Sequence, residues 1–180
     1  GSLGVLIEND LIVGGGAGNT TANLNANDPV VEVQGDVRIA SNGTLEASDS
    51  TTLTIVGSYD NNGTFVGNGG LVDFTGASAF TIAAGASSFS DVLISGTGAA
   101  TVIENATSTG TFTLASSSDF TLNSGTVLAV GTEFQNESGG VSTEWSGSTL
   151  SLYGGAYEVN ASTTSDTYDT LEISGGAQVR

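Results

Sequence analysis

The sequence predicts an all-β protein, and a parallel β-solenoid (β-helix) is the architecture that fits it best. Short segments alternate apolar and polar residues, and turn-forming Gly, Asn and Ser separate them. The clearest of these segments are residues 31–33, 37–39, 53–55, 112–114 and 150–152. A step of 20 residues relates 42–45 to 62–65, and ~20 residues is the length of one turn of a three-faced solenoid. An antiparallel β-sandwich completed by a donor strand from the next subunit is the alternative, because alternation alone does not distinguish the two.

Residues 1–30 form the first predicted domain, an N-terminal strand or cap followed by a Gly- and Asn-rich loop. Leu3, Val5 and Ile7 alternate with other residues as in a strand, and residues 14–27 are rich in Gly and Asn. Solenoids need their ends capped, so one interpretation is a strand folded onto its own domain. The other is a donor strand that inserts into a neighbouring subunit, which makes Leu3, Val5 and Ile7 assembly residues.

Residues 31–180 form the second predicted domain, which contains two copies of a β-repeat unit of roughly 80 residues. The copies span about 43–98 and 125–177, and within them residues 71–98 match 150–177 without a gap at an offset of 79. If the whole chain were solenoid, it would make about nine turns.

The charge of the chain excludes several classes of partner. Nineteen Asp and Glu residues stand against two cationic residues, Arg38 and Arg180, which gives a net charge of −17. Nucleic acids and anionic membranes are bound largely through Lys and Arg, so neither is an expected partner. No apolar run approaches the ~18 residues of a membrane span, so we expect no membrane insertion. The acidic composition suits a protein that stays soluble outside the cell, and we expect an extracellular, cell-surface location.

The residue types argue against catalysis. The chain has no His, Cys or Lys, so it lacks the usual bases and nucleophiles and the preferred ligands of zinc, copper and iron. Paired carboxylates remain, as in glycosidases, but Asp36 lies beside the one internal cation, Arg38, as expected of a surface ion pair. We therefore predict no enzymatic activity, no catalytic residues and no bound cofactor. A polysaccharide-degrading β-helix enzyme is the least favoured alternative.

Calcium is the metal that this composition allows, because calcium takes oxygen ligands alone. The candidate ligands are Asp60 and Asn62 in an Asp-Asn-Asn-Gly turn, and the pair Asp166 and Asp169. None of them stands in an EF-hand loop or in a calcium-binding nonapeptide repeat. The favoured interpretation is that each is a solvated turn, since Asp, Asn and Gly are common turn formers.

Six Asn-x-Ser/Thr triplets are candidate glycosylation acceptors, which are expected at the surface of a secreted protein. Their asparagines are Asn19, Asn42, Asn62, Asn105, Asn136 and Asn160. A chain this rich in Ser and Thr produces several such triplets by chance, so they do not by themselves establish secretion.

The aromatic residues divide into predicted core and a predicted ligand patch. Tyr153 and Tyr168 align with phenylalanines of the first repeat copy, so we expect both in the core. Trp145 and Tyr157 have no aromatic counterpart, so we expect them at the surface, where they would contact sugars.

Several stretches resemble the repeats of very large bacterial surface proteins of the adhesin type. The similarity lies in a Gly-Thr turn, in a Leu-Thr-Ile-Val-Gly step followed by an aromatic residue and Asn, and in an Ile-Ser-Gly step. The stretches are residues 53–65, 72–82 and 89–96, with their second copies. The resemblance covers roughly residues 31–180 and implies an exported, displayed parallel β-helix. It carries over no catalytic residue.

These observations predict a non-enzymatic structural protein that associates with itself, a subunit or module of a surface filament, stalk or surface layer. The scarcity of cations leaves trypsin one internal cleavage site, after Arg38, which suits an exposed structural role. The alternative is an adhesin or carbohydrate-binding module of a large surface protein, which would bind cell-surface glycans through Trp145 and Tyr157.

Overall fold

The chain folds as a parallel β-solenoid of about seven turns, which confirms the predicted fold class. The structure is a computed structural model that describes residues 4–116, 118–138, 143–157 and 167–179. As a rule, each turn contributes one strand to each of three faces, so successive turns stack strand on strand. Every strand pair within these ranges is parallel, so the antiparallel β-sandwich alternative is wrong.

The first sheet takes the first strand of each turn, with the strands numbered along the chain. In spatial order its strands are β1 (Gly4–Ile7), β4 (Val30–Val33), β7 (Leu53–Ile55), β10 (Leu71–Phe74), β12 (Asp91–Ile94), β15 (Thr111–Leu114) and β18 (Glu133–Asn136). From β4 to β18 its strands alternate buried residues with more exposed ones, so one face of the sheet lines the core.

The second sheet is built in the same way from the second strand of each turn. In spatial order its strands are β2 (Leu11–Val13), β5 (Val37–Ile39), β8 (Tyr59–Asn61), β11 (Phe80–Ala83), β13 (Ala100–Val102), β16 (Phe120–Leu122) and β19 (Thr143–Glu144).

The third face of the solenoid consists of two shorter sheets joined by one bridge. The first contains β3 (Thr20–Asn23), β6 (Gly43–Glu46) and β9 (Thr64–Val66), and the second contains β14 (Ala106–Ser108), β17 (Val127–Val130), β20 (Thr149–Leu152) and β22 (Thr170–Ile173). A single parallel bridge between Phe89 and Ser108 supplies the turn between them. Two short strands, β21 (Ala156–Tyr157) and β23 (Gln178–Val179), pair with each other near the C-terminal end.

The 20-residue step in the sequence is one turn of the solenoid, because Leu45 of β6 pairs in register with Phe65 of β9. Turn length varies with the corners. It ranges from 19 residues between β7 and β10 to 26 residues between β1 and β4. Many turns exceed 20 residues, which is why the chain makes about seven turns and not the nine expected.

The Asn-Gly-Thr triplets of this step have a packing reason. A Cβ at Gly43 would strike the carbonyl oxygen of Val13, and a Cβ at Gly63 would strike that of Ala40. Both atoms belong to the backbone of the turn beneath or beside the glycine, so they cannot move aside cheaply. Glycine is therefore required at both of these corners.

The two long repeat copies do not occupy equivalent positions in the solenoid. Leu71 lies in β10 of the first sheet, whereas its aligned residue Leu150 lies in β20, three turns and two faces further along. Leu71 faces outwards and Phe74 is buried, but Leu150 is buried and Tyr153 is 36% exposed. A slip of one residue reverses the faces of a strand, so the gap-free alignment is out of phase here. The prediction that Tyr153 lies in the core is wrong for this reason.

The core is one continuous apolar column that contains two groups of aromatic rings in contact. The first group is Tyr59, Phe65, Phe74, Phe80 and Phe89, and the second is Phe112, Phe120, Phe134, Trp145 and Tyr168. Each fully buried ring contributes about 1.5–3 kcal/mol relative to an exposed one. The column is what holds successive turns together beyond their backbone hydrogen bonds.

Residues 4–30, within the segment predicted as a cap or donor strand with a loop, contain the whole first turn. Its strands β1, β2 and β3 pair with β4, β5 and β6 of the same chain. The side chain of Asn42 holds the Gly-rich loop, since it accepts a hydrogen bond from the Gly15 N–H (2.9 Å) and donates to the carbonyl oxygens of Gly16 (2.9 Å) and Gly18. The first turn is thus anchored on its own chain.

Candidate functional site

The first turn presents an apolar end of the solenoid. Val5 faces the core in register with Val31, yet Val5 is 45% exposed whereas Val31 is 1% exposed. Ile7 and Leu11 face the same way and are only partly buried. The cause is position, because no turn among the described residues packs beneath β1, β2 and β3. We call Val5, Ile7 and Leu11 the N-terminal end surface; Leu3, the third predicted assembly residue, lies outside the described residues.

The last described turn presents a second apolar end. Leu171 and Ile173 of β22 are in register with Leu150 and Leu152 of β20. Leu171 is 40% exposed and Ile173 is 47% exposed, whereas their partners in β20 are fully buried. We call Leu171 and Ile173 the C-terminal end surface. Both ends therefore expose side chains that occupy core positions in the turns between them.

Exposed apolar residues concentrate at these ends. Of the eight large exposed apolar residues in the described chain, six lie in the first two turns or in β22. These six are Val5, Leu6, Ile12, Val30, Leu171 and Ile173. Sequence reasoning missed all of them except Val5. Leu171 and Ile173 point inwards and are exposed because no described turn covers them, and alternation does not show this. Leu6, Ile12 and Val30 point outwards on their strands.

A ladder of side-chain hydrogen bonds fixes the corner between the first and second sheets. The carboxylate of Asp10 accepts the Asp36 N–H, the carboxylate of Asp36 accepts the Ser58 N–H, both at 2.9 Å, and the Ser58 hydroxyl oxygen accepts the Thr81 N–H at 3.1 Å. Each side chain thus accepts a backbone N–H of the next turn and supplies the acceptor that this N–H needs. The N-terminal end surface is held in place by this corner.

One groove, on the second sheet, brings several charged residues together, and it is the part of the described structure that most resembles an active site. Asp36, Arg38, Asp60 and Glu104 line it, and its volume is about 330 Å³. Arg38 Nη2 lies 3.2 Å from Asp36 Oδ2, as the sequence predicts for a surface ion pair, and such a pair contributes ~0–1 kcal/mol. Asp36 also accepts the Ser58 N–H, so this carboxylate is already engaged in structural contacts.

The calcium candidates show no clustering. Asp60 accepts a hydrogen bond from the side-chain amide of Asn62 (2.8 Å), which closes the turn without a cation. Asp169 accepts the N–H of Gly147 at 3.1 Å, and Asp166 lies outside the described residues. The described part of the chain contains no group of three or more acidic side chains placed to hold a metal ion.

Three of the five glycosylation candidates among the described residues are exposed. The exposed ones are Asn19, Asn62 and Asn105. Asn42 is partly buried and uses its amide to hold the Gly-rich loop, so a glycan there would break those contacts. Asn160 lies outside the described residues.

Asn136 corrects the expectation that all six acceptors are exposed. Its side chain is 3% exposed, and its carbonyl oxygen accepts hydrogen bonds from the hydroxyl (2.6 Å) and the N–H (3.2 Å) of Ser138. Asn136 is the last residue of β18, where strand alternation turns its side chain towards the core.

The predicted ligand patch is wrong for Trp145. Glu144 of β19 faces outwards, so alternation turns Trp145 inwards, where it is 2% exposed. Its ring centroid lies 5.2 Å from that of Phe120 and 5.0 Å from that of Tyr168. Tyr157 pairs in β21, and its side chain lies outside the described part of the structure. No aromatic sugar platform therefore forms at Trp145.

A buried hydroxyl in the core leads to the first testable prediction. Tyr59 is fully buried, its hydroxyl has no hydrogen-bond partner among the described residues, and burial raises the pKa of Tyr59 far above its usual range. The aligned residue of the second repeat copy is Phe134. An unpaired buried hydroxyl destabilises the fold, so Tyr59→Phe should raise the free energy of unfolding by about 1 kcal/mol.

Denaturant unfolding followed by circular dichroism measures this change. The reciprocal substitution Phe134→Tyr is the matched control, since it places a hydroxyl at another buried ring position and should lower stability by a similar amount. A loss of stability in Tyr59→Phe would show that the hydroxyl has a partner after all.

Asp73 gives a second prediction, on pH dependence. It lies half-buried on the outer face of the first sheet between Thr54 and Leu93. Burial raises the pKa of Asp73, and the hydrogen bond from the Ser95 hydroxyl (2.7 Å) offsets part of that rise. A raised pKa in the folded state means that stability is lost as pH rises from the unfolded pKa through the folded one.

The isosteric Asp73→Asn variant keeps an acceptor for Ser95 and removes the charge. We expect it to be more stable than the parent at neutral pH, with the gain disappearing at about pH 3, where Asp73 is protonated in both states. Parallel unfolding curves of the two proteins at both pH values measure the difference. An equal gain at both pH values would contradict the assignment.

Comparison with known proteins gives no relative, since no family model, no curated protein and no solved structure matches the chain. The resemblance to adhesin-type repeats therefore stays a prediction. In the ranges that the structure describes, there is no helix of a length and apolarity that would cross a membrane.

Proposed function

We propose that the chain is a non-enzymatic structural module of a surface filament, stalk or surface layer, displayed outside the cell. The observation that supports this most is the uninterrupted stacking of turns. Within the first sheet, the inner strands β4, β7, β10, β12 and β15 each pair with a neighbour on both sides. The second sheet continues in the same way from β5 to β16.

Stacking of this kind suits a part that bears load or sets a distance. To open an inner turn, the protein must break two backbone ladders and expose the apolar core on both sides, so local openings there cost more than openings at an end. Most apolar residues lie in this column, and Thr, Ser and acidic residues are common on the outer faces.

The charge and the groove on the second sheet support the same role. A net charge of −17 keeps crowded copies soluble and gives trypsin one internal site. In the groove, Asp36 bonds to Arg38 and to a backbone N–H, while Asp60 bonds to Asn62. Carboxylates engaged in this way serve the fold, and a polysaccharide-degrading activity is not part of the proposal.

The carbohydrate-binding alternative has less support. It depended on an exposed pair formed by Trp145 and Tyr157, and Trp145 packs in the core. We therefore place the adhesin alternative second.

Immunogold electron microscopy of intact source cells tests the proposal, with antibodies raised against the folded chain. We expect label on layers, stalks or filaments outside the cell, and no release of reducing sugar from neutral or acidic polysaccharides by the purified protein. Label that appears only after permeabilisation, or sugar release that is lost in Asp60→Asn, would overturn it.

A further inference from the structure

We propose that Asn68 is a site of spontaneous deamidation, at which the chain slowly exchanges a neutral amide for a carboxylate. The chain contains three Asn-Gly steps, at Asn42, Asn62 and Asn68. Asn-Gly is the dipeptide most prone to this reaction, because glycine has no side chain to shield the attacking backbone nitrogen. The three steps are equal in sequence and differ in structure. The inference goes beyond the proposed function and does not depend on it.

The reaction needs no enzyme, and water is the one co-reactant. The backbone nitrogen of the glycine loses its proton to solvent and attacks Cγ of the asparagine, so an N–Cγ bond forms, and the amide nitrogen takes up a proton and leaves as ammonia. Water then opens the resulting succinimide ring, at Cγ to give aspartate or at the backbone carbonyl to give isoaspartate, which has one more carbon in its main chain. A susceptible step therefore needs a releasable glycine N–H, a side chain that can turn, and room around the glycine.

The fold blocks the step at Asn42 on all three counts. The Gly43 N–H donates to the backbone carbonyl oxygen of Ala40 at 2.7 Å. The Asn42 amide bonds to the Gly-rich loop through both its oxygen and its nitrogen. A Cβ at Gly43 would strike the carbonyl oxygen of Val13. Neither the nitrogen nor the side chain can move without breaking contacts between turns.

The step at Asn62 is blocked at its glycine. The Gly63 N–H donates to Oδ1 of Asn61 (3.0 Å), and the buried Asn61 side chain is anchored by its own bond to the carbonyl oxygen of Ala84 (3.0 Å). The side chain of Asn62 is exposed, but a Cβ at Gly63 would strike the carbonyl oxygen of Ala40. The longer main chain of an isoaspartate would require this corner to open.

The step at Asn68 lies in an exposed β-turn, residues 67–70, between β9 and β10. The Gly70 N–H donates to the carbonyl oxygen of Gly67 at 2.9 Å, and φ is positive at both central residues, 53° at Asn68 and 97° at Gly69, as in a type I′ turn. Both central residues are exposed, and nothing lies within 4 Å of a Cβ built at Gly69. Of the three steps, this one has room around its glycine.

Two hydrogen bonds to neighbouring turns of the solenoid restrain this β-turn. Asn68 Nδ2 donates to the carbonyl oxygen of Ala47 in the turn before, and the Gly69 N–H donates to the hydroxyl oxygen of Ser90 in the turn after, both at 2.8 Å. The acceptor of the attacking nitrogen is thus a hydroxyl that can rotate away, and not a backbone carbonyl or a buried amide. Local opening costs least where the fewest contacts must separate, so Asn68 should react first.

The modified chain should keep its fold. No residue of the β-turn belongs to the apolar core, and aspartate, like asparagine, tolerates a left-handed backbone. The carboxylate cannot donate to the carbonyl oxygen of Ala47, so the β-turn loses one of its two restraints. One negative charge is added to the −17 of the chain. Deamidation at Asn68 therefore produces a folded, more acidic form that accumulates with age.

Peptide mapping of the folded protein after incubation in mildly alkaline buffer tests the site. Pepsin in acid, where the reaction is slow, can separate the three asparagines by cleavage after Leu45, Phe65 and Leu71, and tandem mass spectrometry locates the converted residue. We expect conversion of Asn68 at least about tenfold faster than that of the other two, with an unchanged circular dichroism spectrum. In the chain unfolded by guanidinium chloride, the three rates should converge because the restraints are gone.

Ser90→Ala tests the restraint on the attacking nitrogen, because it removes the acceptor of the Gly69 N–H. Conversion of Asn68 should become about twofold to tenfold faster, as expected for the loss of one hydrogen bond, while the other two steps keep their rates. Ser88→Ala is the matched control. Ser88 is an exposed serine of the same segment, so its replacement should leave all three rates unchanged.

Three results would overturn the proposal. Conversion of Asn42 or Asn62 before Asn68, or equal rates at all three in the folded protein, would contradict the order that the structure gives. An Asn68 that stays intact in the folded chain but reacts in the unfolded one would show that its two hydrogen bonds protect it fully. An unchanged rate at Asn68 in Ser90→Ala would show that this hydroxyl does not restrain the reaction. None of these results bears on the surface role, which the immunogold test decides.

Discussion

Leu114→Asp should abolish the folded state at neutral pH, while Thr113→Asp in the next position should leave stability within about 0.5 kcal/mol of the parent. Leu114 is completely buried on the inner face of β15, between Ile94 and Asn136 of the neighbouring turns. A carboxylate there would lose its hydration, and the neutral amide of Asn136 beside it cannot balance a charge, so the substitution costs about 4 kcal/mol or more.

Circular dichroism shows whether each variant is folded, and urea unfolding measures its free energy of unfolding. Thr113 faces outwards and its hydroxyl donates a hydrogen bond to Gln135, so a carboxylate in its place remains in water. Mild acid should partly restore Leu114→Asp, because the neutral acid is easier to bury. Comparable damage from both substitutions would show that the inward and outward positions of β15 have been assigned wrongly.

Trp145→Ala should lower the free energy of unfolding by about 3–5 kcal/mol. The indole ring fills the core between Phe120, Phe134 and Tyr168, and its removal leaves a cavity that rigid strands on three sides cannot close. The same experiment decides between the core position and the sugar-binding role expected from the sequence, because loss of an exposed ring would change stability little.

Glu144→Ala is the control for this prediction, since the exposed Glu144 lies next to Trp145 and its carboxylate accepts the Ser146 N–H. Trp145 is the one tryptophan of the chain, so its own fluorescence offers a second readout. Emission should be blue-shifted and protected from aqueous quenchers in the native parent protein. Quenching as rapid as in the unfolded chain would place the ring at the surface.

The fold was predictable because its signals are local. Short alternation fixes strand and face, and the step of 20 residues between the Asn-Gly-Thr triplets at Gly43 and Gly63 is one turn. The glycine in each triplet is required by the close approach of another turn. These features follow from elementary geometry and need no knowledge of the rest of the chain.

What the sequence could not predict depends on contacts between turns. Tyr153 is exposed because its strand differs in phase by one residue from the first repeat copy, which a gap-free alignment hides. Trp145 is buried next to a strand too short to show alternation in the sequence. Asn136 carries a surface signal, yet it lies at the end of β18 with its side chain towards the core. The exposure of Leu171 and Ile173 depends on what lies above the last described turn, which no local pattern shows.

Fibre diffraction from aligned surface filaments that contain the chain tests the central claim most directly. A solenoid that runs along a filament places its strands across the filament axis, so the account predicts a strong reflection at about 4.7–4.9 Å along that axis. A reflection with this spacing across the axis would contradict a solenoid that builds the filament along its length.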